Sequence, residues 1–164
     1  MKVTVLIENS APEGLIREHG LSFLIEYRGG RYLLDAGESG VFLLNARDLG
    51  ADLASVDAAF LSHGHYDHGD GFSAFFRVNR AARVYARPAV AEDDVLDGSS
   101  VGLDPGLFRR HGRRFDLADG PREPFPGIHL LPDAVPHEQS LVLETAEGLV
   151  VFNSCCHAGV DAVL

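Results

Sequence analysis

Short runs of alternating apolar and polar residues open the chain and predict closely spaced strands. Residues 2–8 alternate and are rich in valine and isoleucine, and residues 21–27 form a second run of the same kind. A turn signal at residues 28–30 precedes a third run at residues 31–34. The second and third runs are therefore predicted to pair as a β-hairpin.

Helical spacing appears next, and the two kinds of pattern then alternate. Residues 40–49 place apolar side chains on one helical face, and Gly50 is typical of a helix end. The pattern further predicts strands at 57–61 and 83–86, helices at 71–79 and 88–96, and a second hairpin from 140–145 and 149–152. Residues 97–127 are punctuated by proline and glycine and predict a loop-rich insertion with little regular structure. This order predicts a mixed α/β layered architecture.

Length and charge exclude several classes of function. The 164 residues suit a single domain, 1–164, and the 24 acidic against 14 basic residues give a net charge of −10. Such a charge disfavours nucleic acid as a partner. No apolar run is long enough to span a bilayer, and the N-terminus lacks the features of a secretory signal. Two adjacent cysteines form no disulfide framework, so a reduced, cytoplasmic protein is expected.

The chemistry concentrates in one segment directly after a short apolar strand. His63 and His65 are two residues apart, so both side chains project to the same side of an extended chain and can bind one cation. Asp67 and His68 are displaced from that pair and can serve a second ion or orient a bound water. The alternative is a polar loop that happens to contain histidines, but three histidines within six residues around an aspartate favour metal binding.

Several motifs occur in the order found in a known family. They are Glu18-His19-Gly20-Leu21-Ser22-Phe23, Leu34-Asp35-Ala36-Gly37, His63-Gly64-His65-Tyr66-Asp67-His68 and Ser154-Cys155-Cys156-His157-Ala158-Gly159. The chain resembles the metallo-β-lactamase fold superfamily of metal-dependent hydrolases. Within it, the chain is similar to the archaeal dihydropterin-phosphate synthase-like subgroup. The resemblance implies an αββα sandwich and one or two divalent ions, with zinc expected and iron or manganese possible.

The resemblance also assigns roles to individual residues. It implies His63, His65 and His157 on a first ion, and Asp67 and His68 on a second. Asp67 is also expected to orient the attacking water or accept its proton. Three more residues receive weaker assignments: Asp35 supports the metal-binding loop, and Glu18 and His19 lie at the substrate-binding rim.

Two features leave alternatives open. Cys155 and Cys156 adjoin a ligand position; buried packing is expected, and metal binding or oxidation sensing is the alternative. In the superfamily, a bridging acid and a further histidine follow well after the ligand that His157 matches. In this sequence Asp161 is the only acid between His157 and Leu164. We therefore expect an incomplete sandwich, completed by a missing C-terminal half or by homo-oligomerisation.

Three functions fit this pattern. The first is a metal-dependent hydrolase that activates water to attack a carbonyl or phosphoryl centre of a small-molecule substrate. The second, from the subgroup resemblance, is a transferase joining a pterin-like group to an aryl amine. The third is a non-catalytic metal-binding module. An open coordination position would separate the enzymes from the module.

Overall fold

The structure is a computed structural model that describes residues 1–92 and 94–163. The strands are β1 (Lys2–Ile7), β2 (Ser22–Tyr27), β3 (Gly30–Leu34), β4 (Ala58–Phe60), β5 (Arg83–Ala86), β6 (Val95–Leu96), β7 (Ser99–Ser100), β8 (Phe115–Leu117), β9 (Arg122–Phe125), β10 (Ile128–Pro132), β11 (Gln139–Thr145) and β12 (Gly148–Phe152). The helices are α1 (Val41–Asp48), α2 (Tyr66–Gly69), α3 (Phe72–Val78), α4 (Pro105–His111) and α5 (Val160–Val163). No helix in these ranges has the length and apolar character needed to cross a bilayer.

Two sheets carry the fold. The larger has the strand order β1-β2-β3-β4-β5-β8, with antiparallel pairing up to β3 and parallel pairing from β3 onward. The smaller is the antiparallel sheet β12-β11-β10-β9, and β6 pairs with β7 in a separate two-stranded ribbon. Both predicted hairpins, β2–β3 and β11–β12, are confirmed.

The apolar alternation places the larger sheet between two cores. On one side, Leu33 and Ala59 pack against helical side chains such as Phe42 and Phe75. On the other side, Tyr32, Leu34 and Phe60 pack against four residues of the smaller sheet: Ile128, Leu130, Leu141 and Leu143. The central strands are thus buried on both faces, as in parallel sheets generally. The result is the mixed α/β layering that the sequence predicts.

Two local predictions are wrong. Residues 88–96 were expected to form a short helix, but a 3-10 turn covers Pro88–Ala91 and the chain then enters β6. Pro88 fixes the start of that turn, and residue 93 lies outside the described residues. The segment 97–127 also contains regular structure: α4, β8 and β9. Phe115 and Leu107 of that segment are buried in the helix-side core, so packing orders what looks like a loop.

The strand order brings distant motifs to one edge. β3 and β4 are parallel, so Asp35, directly after β3, and Ser62, two residues after β4, emerge side by side. The start of β11 reaches the same place because the backbone N–H of Gln139 donates to the carbonyl of Ser62 at 2.8 Å. The side chain of Gln139 also donates to the Leu61 carbonyl at 2.8 Å. These bonds join the two sheets where the candidate site lies.

Candidate metal centre

Three histidines from two distant parts of the chain meet at this edge. Ligand nitrogens of His63, His65 and His157 all lie within 4.8 Å of one another. The ring centroids are 4.6 Å apart for His63 and His65, 5.0 Å for His63 and His157, and 4.9 Å for His65 and His157. The first two follow β4 and the third follows β12, so the two sheets together position them.

One nitrogen in this group is buried without a hydrogen bond to the described residues. His63 is fully buried, and its Nε2 has no hydrogen-bond partner within the part of the chain that the structure describes. Burial, reinforced by four neighbouring histidines, lowers the pKa of His63 far below its ordinary value of 6.5. The ring is therefore neutral at physiological pH. A buried polar atom without a partner is costly, and a cation is the ligand that a neutral imidazole nitrogen among other imidazoles would accept.

The tautomer of His63 follows from its neighbour. The Oγ of Ser62 donates its single proton to the Oδ2 of Asp35 at 2.7 Å and lies 2.8 Å from the Nδ1 of His63. Because that proton is committed to the carboxylate, Nδ1 of His63 must be the donor in the second bond. The lone pair then resides on Nε2, which faces the centre.

Carboxylates orient the other two rings of the group. The Oδ2 of Asp94 is 2.9 Å from the Nε2 of His65, which leaves Nδ1 as the free nitrogen. The Oε1 of Glu138 is 3.2 Å from the Nδ1 of His157, which leaves Nε2. Glu138 is 1 % exposed and also accepts the backbone N–H of His157 at 3.2 Å. A carboxylate on the far nitrogen is the usual way proteins fix a ligating imidazole.

Asp35 accepts hydrogen bonds from several segments of the site. It is fully buried and adopts a positive φ of 56°, an uncommon conformation for a residue with a side chain. Its Oδ2 accepts from Ser154 Oγ at 2.8 Å and from His68 Nδ1 at 2.8 Å, besides Ser62, whose backbone N–H also donates to Oδ1 at 2.8 Å. One carboxylate thus ties together the segments after β3, β4 and β12.

His68 and Asp67 form a second set of donors beside the three histidines. The ring of His68 lies 4.2 Å from that of His63, and its Nε2 is 3.3 Å from the Oδ2 of Asp67. Burial would lower the pKa of His68, but the charge and hydrogen bond of Asp35, with help from Asp67, raise it to about 12. Burial would likewise raise the pKa of Asp67, yet His68 keeps it below its ordinary value.

The two residues expected at the substrate-binding rim, Glu18 and His19, have different surroundings. His19 is exposed, and its Nε2 lies 3.4 Å from the Oδ2 of Asp67, so it borders the site. Glu18 instead binds Ser39: it accepts the backbone N–H at 3.1 Å and also the hydroxyl. Its carboxylate is therefore engaged in holding the segment before α1. Asp161, in the first turn of α5, is exposed.

Sequence reasoning missed two side chains, Asp94 and His137, and misjudged a third. His137 lies beside His65, with ring centroids 5.3 Å apart, and its Nε2 is 3.4 Å from Asp94. A single histidine in a proline-containing turn carries no spacing signal that would have revealed it. Cys155 was expected to be packed in the interior, but it is exposed and its Sγ lies 3.3 Å from the Nε2 of His68.

Known proteins share this arrangement of sheets. A metal-dependent hydrolase of the beta-lactamase superfamily superposes with a TM-score of 0.82 at 29 % identity, covering 98 % of this chain and 68 % of that one. A quorum-quenching N-acyl homoserine lactone lactonase gives a TM-score of 0.62 at 19 % identity, covering 91 % and 67 %, which shows a common fold only.

Curated relatives come from the archaeon Methanocaldococcus jannaschii. An uncharacterised protein is 39 % identical over 114 residues, which are 69 % of this chain and 39 % of the relative. A 7,8-dihydropterin-6-methyl-4-(beta-D-ribofuranosyl)-aminobenzene-5'-phosphate synthase is 27 % identical over 188 residues, covering 90 % of this chain and 64 % of the relative. The chain thus spans less than two thirds of either relative.

A family model confirms the superfamily that the motifs resemble. The model described as the metallo-beta-lactamase superfamily matches residues 15–152, which include every strand from β2 to β12. Together with the layered fold and the histidine cluster, this match shows that the chain belongs to the metallo-beta-lactamase superfamily.

Proposed function

We propose that the protein is a metal-dependent hydrolase whose first cation is held by His63, His65 and His157. The observation that carries the proposal is the buried Nε2 of His63, which has no partner among the described residues, on a ring whose centroid lies 4.6 Å and 5.0 Å from those of His65 and His157. Three imidazole nitrogens suit a divalent zinc, iron or manganese ion and leave a coordination position for water or substrate. When bound there, such an ion supplies Lewis acidity and lowers the pKa of water to near 7.

Carboxylates of the protein hold the ligating histidines and act on the attacking water. Asp94 and Glu138 hold the far nitrogens of His65 and His157, so these rings need not reorient during the reaction. Asp67 has a pKa below its ordinary value and a side chain that is 11 % exposed, so the side chain is an ionised carboxylate at neutral pH. That oxygen is placed to orient the attacking water or accept its proton. His19, on the solvent side of Asp67, borders the substrate entrance.

Histidine substitution tests the metal-binding part of the proposal. His157→Ala removes one of the three nitrogens. His129→Ala is the matched control because His129, on β10, pairs with Glu144 of β11, outside the centre. Metal content after zinc loading and dialysis should fall in the first variant and stay at the parental level in the second. Equal metal content in both variants would contradict the assignment.

A panel of small substrates tests the hydrolytic part. Lactones, thioesters and phosphodiesters offer the carbonyl and phosphoryl centres that a metal-activated water attacks. The proposal expects turnover of at least one class by the metal-loaded protein and none after chelation. Retention of metal with no turnover in any class would refute a hydrolase.

The relative named as a synthase favours one second candidate, a transferase that joins a pterin-type group to an aryl amine. In that case Asp67 would act on the amine, and the same metal-loaded protein would form a condensation product while leaving simple esters intact. Product analysis by mass spectrometry, with both substrate types in parallel, separates the two reactions.

A further inference from the structure

Cys155 has a neighbour that packing does not explain. The residue is exposed at the turn after β12, yet its Sγ lies 3.3 Å from the buried Nε2 of His68. Ser154, one residue earlier, anchors the turn on Asp35. The next residue, Cys156, has a φ of 55°, a conformation that costs a non-glycine residue free energy. The turn is thus held in a specific shape that directs the sulfur toward the site.

The spacing of these atoms is that of two ligands on one ion. Zinc–sulfur and zinc–nitrogen bonds of about 2.3 Å and about 2.05 Å at a tetrahedral angle place sulfur and nitrogen about 3.6 Å apart. The same calculation for oxygen and nitrogen gives about 3.4 Å. The observed separations are 3.3 Å for Cys155 and His68, and 3.3 Å for Asp67 and His68. Small adjustments of the side chains would therefore suffice.

A second observation points to a ligand at this position. A ring nitrogen of the fully buried His63 lies within 4.8 Å of the donor atoms of His68 and Cys155, and the Nε2 of His63 has no hydrogen-bond partner in the described part of the chain. His63 also belongs to the three-histidine group, so the two candidate positions adjoin each other. Adjacent positions are what a pair of ions about 3.5–4 Å apart requires.

We infer that Cys155 is a thiolate ligand of the cation that His68 binds, next to the three-histidine position. Binding forms a sulfur–metal bond and a nitrogen–metal bond. It breaks the S–H bond of Cys155 and the Nε2–H bond of His68, and both protons go to solvent. The mixed sulfur, nitrogen and oxygen surroundings favour zinc over manganese, because thiolate is a soft donor. This inference rests on the proposed metal centre and adds one ligand and a metal preference to it.

Cobalt substitution tests the inference, with the neighbouring cysteine as a matched control. Purified protein stripped of metal is titrated with Co²⁺ for the parent, Cys155→Ser and Cys156→Ser. A cobalt–thiolate bond gives charge-transfer absorption in the near ultraviolet that imidazole and carboxylate ligands do not give. We expect this absorption in the parent and in Cys156→Ser, and its loss in Cys155→Ser.

Thiol reactivity provides an independent readout on the same proteins. With zinc bound, the single thiol of Cys156→Ser should react with an aromatic disulfide reagent at least tenfold more slowly than without zinc. The single thiol of Cys155→Ser should show no such protection. Circular dichroism of the variants establishes that they are folded.

The outcomes separate this inference from the proposed function. Cobalt bound without thiolate absorption in the parent would refute the ligand role of Cys155 and leave the three-histidine centre intact. Absorption that survives Cys155→Ser would also refute it. Failure of the parent to bind any cobalt would refute both this inference and the proposed metal centre.

Discussion

Replacing Asp35 by asparagine tests how the site sets the tautomer of its histidines. The Oδ2 of Asp35 accepts three hydrogen bonds, from His68, Ser62 and Ser154, while Oδ1 accepts one from the backbone N–H of Ser62. Asp35→Asn can keep the bond at Oδ1 but presents an amide NH₂ where Oδ2 was. That group has two N–H bonds for three former donors, and a hydroxyl can rotate to accept one of them. His68 can do so only by moving its proton from Nδ1 to Nε2, which removes Nε2 as a metal ligand.

The expected loss of metal affinity follows from the loss of the carboxylate behind His68. Loss of a carboxylate behind a ligating histidine costs about 10–100-fold in metal affinity, which corresponds to about 1.4–2.8 kcal/mol. The effect should fall on the ion that His68 binds. Asp35→Ala removes all four bonds from a fully buried position, and we expect it to lower the free energy of unfolding by about 3–5 kcal/mol.

Competition with a chromophoric chelator measures the affinity, and urea unfolding of metal-free protein measures the stability. Asp57→Asn is the control, because Asp57 is an exposed carboxylate that accepts the backbone N–H of Arg31 at 2.9 Å, away from the site. Unchanged zinc affinity in Asp35→Asn, with the protein folded, would refute the reasoning about the tautomer. So would an equal loss of affinity in the control.

Three further predictions follow from the same geometry. Glu138→Gln should weaken the first cation about 10–100-fold in a chelator competition, whereas Glu144→Gln, which alters a similar but remote Glu–His pair, should have no effect. Gly20→Ala should lower the free energy of unfolding by about 1–3 kcal/mol more than Gly50→Ala. Both glycines have positive φ, but only at Gly20 would a Cβ lie 1.9 Å from a backbone oxygen of the metal-binding loop. Finally, the raised pKa of His68 stabilises the metal-free fold fully below the unfolded value near 6.5, and this contribution declines as the pH rises toward about 12. Urea unfolding of metal-free protein should therefore show stability falling above pH 6.5, and falling less in Asp35→Asn; a flat profile in the parent would contradict the ion pair.

Local patterns predict most of the scaffold. The hairpins, α1, α3 and the strands leading into Asp35 and His63 follow from apolar periodicity and from turn residues close by in sequence. The segment 97–127 was predicted wrongly because its order comes from tertiary packing, with Leu107 and Phe115 buried against residues distant in the chain. Propensity alone does not report such contacts.

The site shows the same division between local and distant information. Spacing places His63 and His65 together, because residues two apart share one side of an extended segment. It carries no information on the return of Glu138 and Asp94 to the same point, which depends on how β11 and the segment before β6 cross the sheet edge. Gly71 is a further case that local spacing does not reveal. Its φ is ordinary, but a Cβ there would lie 2.0 Å from the Ala36 carbonyl oxygen.

The central claim is that three imidazoles from two sheets bind one cation. Crystals of the protein soaked in zinc, with an anomalous difference map recorded at the zinc absorption edge, test it most directly. The account predicts a peak about 2.0–2.1 Å from Nε2 of His63, Nδ1 of His65 and Nε2 of His157. A zinc-saturated crystal with its strongest peak elsewhere and none between these three rings would contradict the account.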